Sequence, residues 1–172
     1  MKLRHKHRKL IIDVLIIVIV VLSVFFTYLG LQFFLATNKP LVIVASGSMS
    51  PALEVGDIVI VQGVPATEIK VGDIIVFEEP NRNELTVHRV IEIETKEDGT
   101  IFFTTKGDAN PIQDTSSVDS SLVHGRVINR IPYLGYIAIN PIIPIILVII
   151  IVIILFLWPE KTKRFRRKHR GT

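Results

Sequence analysis

Residues 14–35 run for 22 positions without a charged side chain, most of them Val, Ile, Leu or Phe. At about 1.5 Å of rise per residue, a helix of that length crosses a hydrocarbon layer of about 30 Å. This excludes an ordinary soluble domain and divides the chain into what lies on either side of a membrane. A cleavable signal peptide is the competing reading, because a basic stretch precedes the apolar run. Its apolar core would span only about 7 to 15 residues, and Leu35-Ala36-Thr37 makes a poor small-x-small cleavage site. We therefore assign residues 13–36 to a retained transmembrane helix. Asp13 stands at its basic end and receives no functional role.

A second apolar block, residues 137–158, has Asn140 and Pro141 near its start as helix N-cap and first-turn residues, and closes on Trp158 at interface height. It reads as a second span. Twelve of the twenty Lys and Arg lie in the two outer tails, residues 1–12 and 159–172. Residues 36–139 instead hold eight basic against fourteen acidic side chains. The formal charge of +4 thus misdescribes the middle, which would repel a phosphate backbone, so nucleic acid is not expected as a partner. The positive-inside rule places both tails in the cytoplasm and residues 37–136 on the opposite face. Each tail cation near an anionic leaflet adds about 1 kcal/mol of attraction to membrane lipids. The chain has no cysteine, hence no disulfides and no thiolate metal site.

Between the spans, short runs rich in β-branched and aromatic residues alternate with turn residues, predicting strands at 41–44, 58–61, 74–77, 86–94, 100–105 and 123–131. Gly63-Val64-Pro65, Pro80-Asn81-Arg82-Asn83, Glu97-Asp98-Gly99 and Gly107-Asp108-Ala109-Asn110-Pro111 supply the breakers, and no stretch shows sustained helical periodicity. The fold class is mainly β, with an all-β domain over residues 37–136. Val55-Gly56-Asp57-Ile58 recurs as Val71-Gly72-Asp73-Ile74, which points to two similar turn-to-strand entries.

Chemistry can arise at few places. Ala45-Ser46-Gly47-Ser48-Met49-Ser50-Pro51 sets serines around a glycine just outside the first span, where a constrained backbone could hold a hydroxyl exposed. Taken alone, it is a Ser/Gly/Pro turn. His88, in Thr86-Val87-His88-Arg89-Val90, lies on a predicted strand that fixes its direction, and an imidazole can take a serine proton. Taken alone, it is a half-exposed strand histidine. His124 shares that context without a partner motif and reads as structural. The stretch Lys106-Gly107-Asp108-Ala109-Asn110-Pro111-Ile112-Gln113-Asp114 puts two carboxylates in one loop, either of which could orient an imidazole. Alone, Asp108 and Asn110 would form an Asx turn on their own backbone.

The order Ser, His, Asp after a membrane span resembles signal peptidase I in its archaeal and endoplasmic-reticulum form. The resemblance covers residues 42–135 and rests on Ser46-Gly47-Ser48-Met49-Ser50-Pro51, Gly72-Asp73-Ile74-Ile75-Val76-Phe77, Val87-His88-Arg89-Val90, Thr105-Lys106-Gly107-Asp108 and Gly125-Arg126. In the bacterial branch a lysine replaces the histidine, so His88 selects the branch. The resemblance implies a signal-peptidase-like β catalytic domain flanked by two transmembrane helices. It also implies a membrane-bound serine endopeptidase that removes N-terminal signal peptides from exported precursors.

Ser48 then becomes the nucleophile, His88 the general base, Asp114 the residue orienting that base and Asp108 a second required carboxylate. The Ser48 amide and Ser46 hydroxyl would serve the oxyanion, with Met49 beside them on the substrate side. No cofactor or metal is implied. The partners are secretory precursor proteins carrying small residues at the first and third positions before the cut; accessory subunits are left open. The family loop often reads Gly-Asp-Asn-Asn and ends in paired aspartates, whereas Ala109 and Gln113 stand here. The division of labour between Asp108 and Asp114 is therefore left open. Two other readings compete: a Ser-Lys protease using Lys70, Lys96 or Lys106, and a non-catalytic membrane-anchored β-module.

Overall fold

The computed structural model describes residues 2–79 and 84–139 together with positions 142, 146, 149, 150 and 153. Helix α1, Lys2–Phe34, contains the stretch Val14–Phe34, which is long and apolar enough to cross a membrane. Its apolar side chains are exposed along the span, as lipid-facing residues are. The residues just after the helix meet the β domain. The Leu35 carbonyl accepts the Gly63 amide at 2.7 Å, and the Thr37 hydroxyl donates to the His124 carbonyl at 2.8 Å. A side chain at Gly63 would collide with the Ala36 carbonyl, so this junction requires glycine.

Seven strands follow: β1 Leu41–Ile43, β2 Ile58–Gln62, β3 Ile74–Glu78, β4 Leu85–Thr95, β5 Ile101–Lys106, β6 Val118–Asp119 and β7 Val123–Ile131. They form one antiparallel sheet in the order β1-β2-β7-β3-β4-β5-β6. Single 3₁₀ turns stand at Gly47–Met49, Ala66–Glu68 and Ser120–Leu122. The six expected strands are present, and the all-β character of the domain follows. β6, two residues long, was not expected. The predicted turn at residues 80–83 lies outside the described residues, as does most of the second expected span, 137–158. Of that block the structure describes the end of the short helix α2, Tyr136–Ile139, and isolated positions.

β3 runs between β7 and β4 and buries both of its faces. Val76 joins Val42, Val44, Met49, Leu53, Val59 and Val61 in one apolar cluster. Ile75 and Phe77 join Ile69, Val90, Phe103 and Val118 in another. A strand sandwiched in this way reads as an unbroken apolar run, as Ile74-Ile75-Val76-Phe77 does. Truncating a fully buried side chain such as Phe103 would cost about 3–5 kcal/mol.

The repeated Val-Gly-Asp-Ile segments do form equivalent entries. Gly56 and Gly72 take positive φ, 88° and 98°. Asp57 accepts the Glu54 amide and Asp73 the Lys70 amide, at 3.1 and 2.9 Å. Each aspartate also receives an arginine from β7, Arg130 on Asp57 at 2.9 Å and Arg126 on Asp73 at 3.2 Å. Burial alone would raise the Asp57 carboxyl, but the Glu54 and Tyr133 amides and Arg130 outweigh it and hold this group below the usual carboxylate range. These turns fix β2 and β3 against β7, and through β3 they fix β4, which carries His88.

Candidate active site

Ser48 is the central residue of the 3₁₀ turn Gly47–Met49, entered from an extended Ser46. The turn is pinned from below by Met49, whose side chain is 1% exposed and belongs to the apolar cluster. That side chain therefore presents no surface of its own, and it anchors the turn. Ser48, the residue before it, is half-buried. Ser46 Oγ lies 3.3 Å from Ser48 Oγ.

His88 sits on β4 opposite Ile75 of β3, with its ring packed edge-on against Phe77. Its side chain is 11% exposed. Nε2 faces Ser48 Oγ at 3.2 Å, and Nδ1 lies 2.6 Å from Asp114 Oδ2. A carboxylate only accepts, so Nδ1 carries the proton in this contact, and in the neutral ring Nε2 is left with a lone pair toward the serine hydroxyl. That arrangement is able to draw a proton from Ser48, and Asp114 would stabilise the imidazolium so formed.

Asp114 returns to the sheet because its amide donates to the Thr105 carbonyl at 2.8 Å and the Thr105 hydroxyl donates to Asp114 Oδ2 at 2.6 Å. Between these residues the loop folds over the serine turn, where the Ala109 amide donates to the Ser48 carbonyl at 2.8 Å. A Cβ on Gly107 would stand 2.6 Å from that carbonyl, so the close approach needs glycine. One loop thus touches both the nucleophile's backbone and the histidine's partner.

The two loop carboxylates are placed differently. Asp108 does not bond His88; it takes the Arg89 guanidinium in a fork, Nε to Oδ1 at 2.8 Å and Nη2 to Oδ2 at 2.6 Å. Arg89 also donates to the Gly72 carbonyl at 2.8 Å. The Arg89 hydrogen bonds hold the Asp108 carboxyl below its ordinary value against partial burial, and the charges of Arg89, of Lys106 and of His88 when protonated act the same way. The sequence motifs contain Arg89 and Thr105 without pointing to a role for either. Their signal was a charged and a hydroxyl side chain on strand positions next to the histidine and the loop.

Among the described residues, Ser48 Oγ has His88 and Ser46 as its side-chain hydrogen-bond partners. Lys96, one of the lysines considered as an alternative base, lies with its Nζ 3.9 Å from the centre of the Phe102 ring. The described residues contain no cluster of side chains able to hold a metal ion. His124 pairs with Glu78 at 3.1 Å. A cleft of about 480 Å³ opens beside His88 and Asp114, bordered by Phe77, Thr86, Asn110 and Ile112.

The model of the family described as signal peptidase, peptidase S26, matches residues 10–96. The chain is 34% identical over 139 residues to the human signal peptidase complex catalytic subunit SEC11C, covering 77% of this chain and 72% of that one. It is 31% identical over 156 residues to the corresponding SEC11 subunit of Schizophyllum commune, covering 77% and 80%. To sec11 of Dictyostelium discoideum it is 28% identical over 128 residues, covering 70% and 71%.

Proposed function

The chain belongs to the peptidase S26 family of signal peptidases, and on that premise we propose that Ser48, His88 and Asp114 carry its reaction. It is a serine endopeptidase that cleaves signal peptides from exported precursors. In our reading, Ser48 Oγ attacks the scissile carbonyl carbon while His88 Nε2 takes the hydroxyl proton. The proton then passes to the leaving amine as the C–N bond breaks. Water, deprotonated by the same nitrogen, attacks the ester carbonyl, and the proton returns to Ser48 Oγ as the C–O bond breaks and the signal peptide leaves. Asp114 keeps the Nδ1–H tautomer throughout. The oxyanion would be met by the Ser48 amide and the Ser46 hydroxyl; loss of one such donor costs about 2.7–4 kcal/mol in well-studied cases. Asp108 acts at one remove, through Arg89 and the loop lying on the Ser48 backbone.

The observation that carries this reading is the line of contacts Ser48 Oγ, His88 Nε2, His88 Nδ1, Asp114 Oδ2, at 3.2 and 2.6 Å across the two gaps. Cleavage of a model precursor by the full chain in detergent tests it. Ser48→Ala and His88→Ala should each abolish processing. Retention of processing by both removes the triad, and loss through a lysine substitution alone would favour a Ser-Lys dyad.

One helix near the N-terminus is long and apolar enough to anchor the enzyme in a membrane. We extend this to two spans, residues 13–36 and 137–158, with residues 37–136 as a catalytic domain on the extracellular or lumenal face and the basic tails at 1–12 and 159–172 in the cytoplasm. The charge asymmetry supports that orientation, and protease protection of both tails in sealed vesicles tests it. The relatives are named as catalytic subunits of a complex, which makes accessory subunits the matching proposal here. Processing by the purified chain alone would show them to be dispensable.

A further inference from the structure

We propose that Thr105 is a positioning residue of this active site, holding Asp114 against His88 through its hydroxyl. The inference rests on the Ser48-His88-Asp114 reading and extends it by one residue.

Thr105 is fully buried on β5. Its cross-strand partner is Val90, and its neighbour two positions back is Phe103, both also fully buried in an apolar cluster. A valine would suit such a position by shape. A hydroxyl shielded from water must instead be matched by a partner. That partner is Asp114 Oδ2, at 2.6 Å, the same oxygen that meets His88 Nδ1.

The register explains how the three groups meet. Pairing of Thr105 with Val90 puts it on the face of β4 that also carries His88, two residues from Val90. The same residue fixes Asp114 a second time, its carbonyl accepting the Asp114 amide at 2.8 Å. Asp114 follows a seven-residue excursion from β5, 107–113, and its side chain retains 24% exposure beside the open cleft. The backbone bond alone would leave the carboxylate free to turn toward solvent. A β-branched side chain with restricted χ1 offers its hydroxyl in a fixed direction, so Thr105 selects the rotamer that faces the imidazole.

Three substitutions in the full chain, assayed in detergent on a model precursor, test this. Thr105→Val keeps the shape and loses the hydroxyl; kcat should fall about tenfold to a hundredfold with KM within about twofold. Thr105→Ser should recover kcat to within about threefold, and Thr105→Ala should stay at least about tenfold below Thr105→Ser. The serine and alanine pair gives the same contrast even where valine impairs folding. Wild-type kcat in Thr105→Val, or equal loss in Ser and Ala, overturns the positioning role while leaving the triad standing. Processing that survives Ser48→Ala and His88→Ala removes the triad itself and this inference with it. These outcomes separate failure of the one idea from failure of the other.

Discussion

The β domain holds two histidines, His88 and His124, and each meets a carboxylate. His88 spends Nδ1 on Asp114 and presents Nε2, the distal nitrogen, to Ser48. His124 spends its distal nitrogen on Glu78, which leaves only the nitrogen nearer the strand backbone. The first pair is the more enclosed, with side chains 11% and 24% exposed against 20% and 42% for the second. A carboxylate beside an imidazole is therefore not what sets the proposed general base apart. The distinction lies in which nitrogen the carboxylate occupies, and in what the other nitrogen faces.

The strongest attempt to break this comparison exchanges equivalent groups in the two pairs. His88→Ala should lower kcat by about 10³-fold or more, since it removes the proposed proton acceptor and donor together. Asp114→Asn should cost about 10²- to 10⁴-fold, because an amide no longer fixes the Nδ1–H tautomer. Glu78→Gln, the same chemical change on the other pair, should leave kcat within about twofold. Initial rates on one model precursor across these variants check all three. A Glu78 effect as large as that of Asp114 would erase the distinction.

A smaller effect sharpens the comparison at Asp108, which lies near His88 without touching it. Its work is to hold Arg89 and the loop resting on the Ser48 carbonyl, so Asp108→Asn should reduce kcat about tenfold, well short of Asp114→Asn. The same pair carries a pH signature. Because Arg89 lowers the folded carboxyl below the unfolded value of about 3.9, the stability contributed by Asp108 is fully present above that pH. It is lost as the pH falls through the folded value. Chemical unfolding of wild type and Asp108→Asn should thus differ at neutral pH and converge in acid. A difference that persists unchanged into acid would assign the effect to packing.

The six longer strands were legible because each carries enough residues for a β-rich run bounded by Gly, Pro, Asn or Asp. β6 was not, since Val118 and Asp119 form too short a segment to set up an alternation, and its pairing with Phe102 and Phe103 is decided by the path of the preceding loop. Ser48, His88, Asp108 and Asp114 could each be singled out by type and order. What the sequence left open was which aspartate meets the imidazole. Both lie in one loop, six positions apart, and the choice is made by long-range contacts: Arg89 takes Asp108, while Thr105 draws Asp114 back to β5. Such selection depends on strand register, which no local pattern encodes. Met49 shows the converse, a motif residue whose side chain went to the core.

The smallest expected effect is at His124, and there the comparison is most exposed to failure. His124 ties the domain to the segment that follows α1, but through its carbonyl, which takes the Thr37 hydroxyl at 2.8 Å. Alanine keeps that carbonyl. The ring's own contact with Glu78 is partly open to solvent, where a salt bridge contributes little and is screened by added salt. His124→Ala should therefore leave kcat within about twofold and shift unfolding by under about 1 kcal/mol. Measuring both matters. A tenfold loss of kcat with unchanged unfolding would place a second imidazole in the reaction. Equal loss of both would show instead that the side chain supports the junction between helix and sheet.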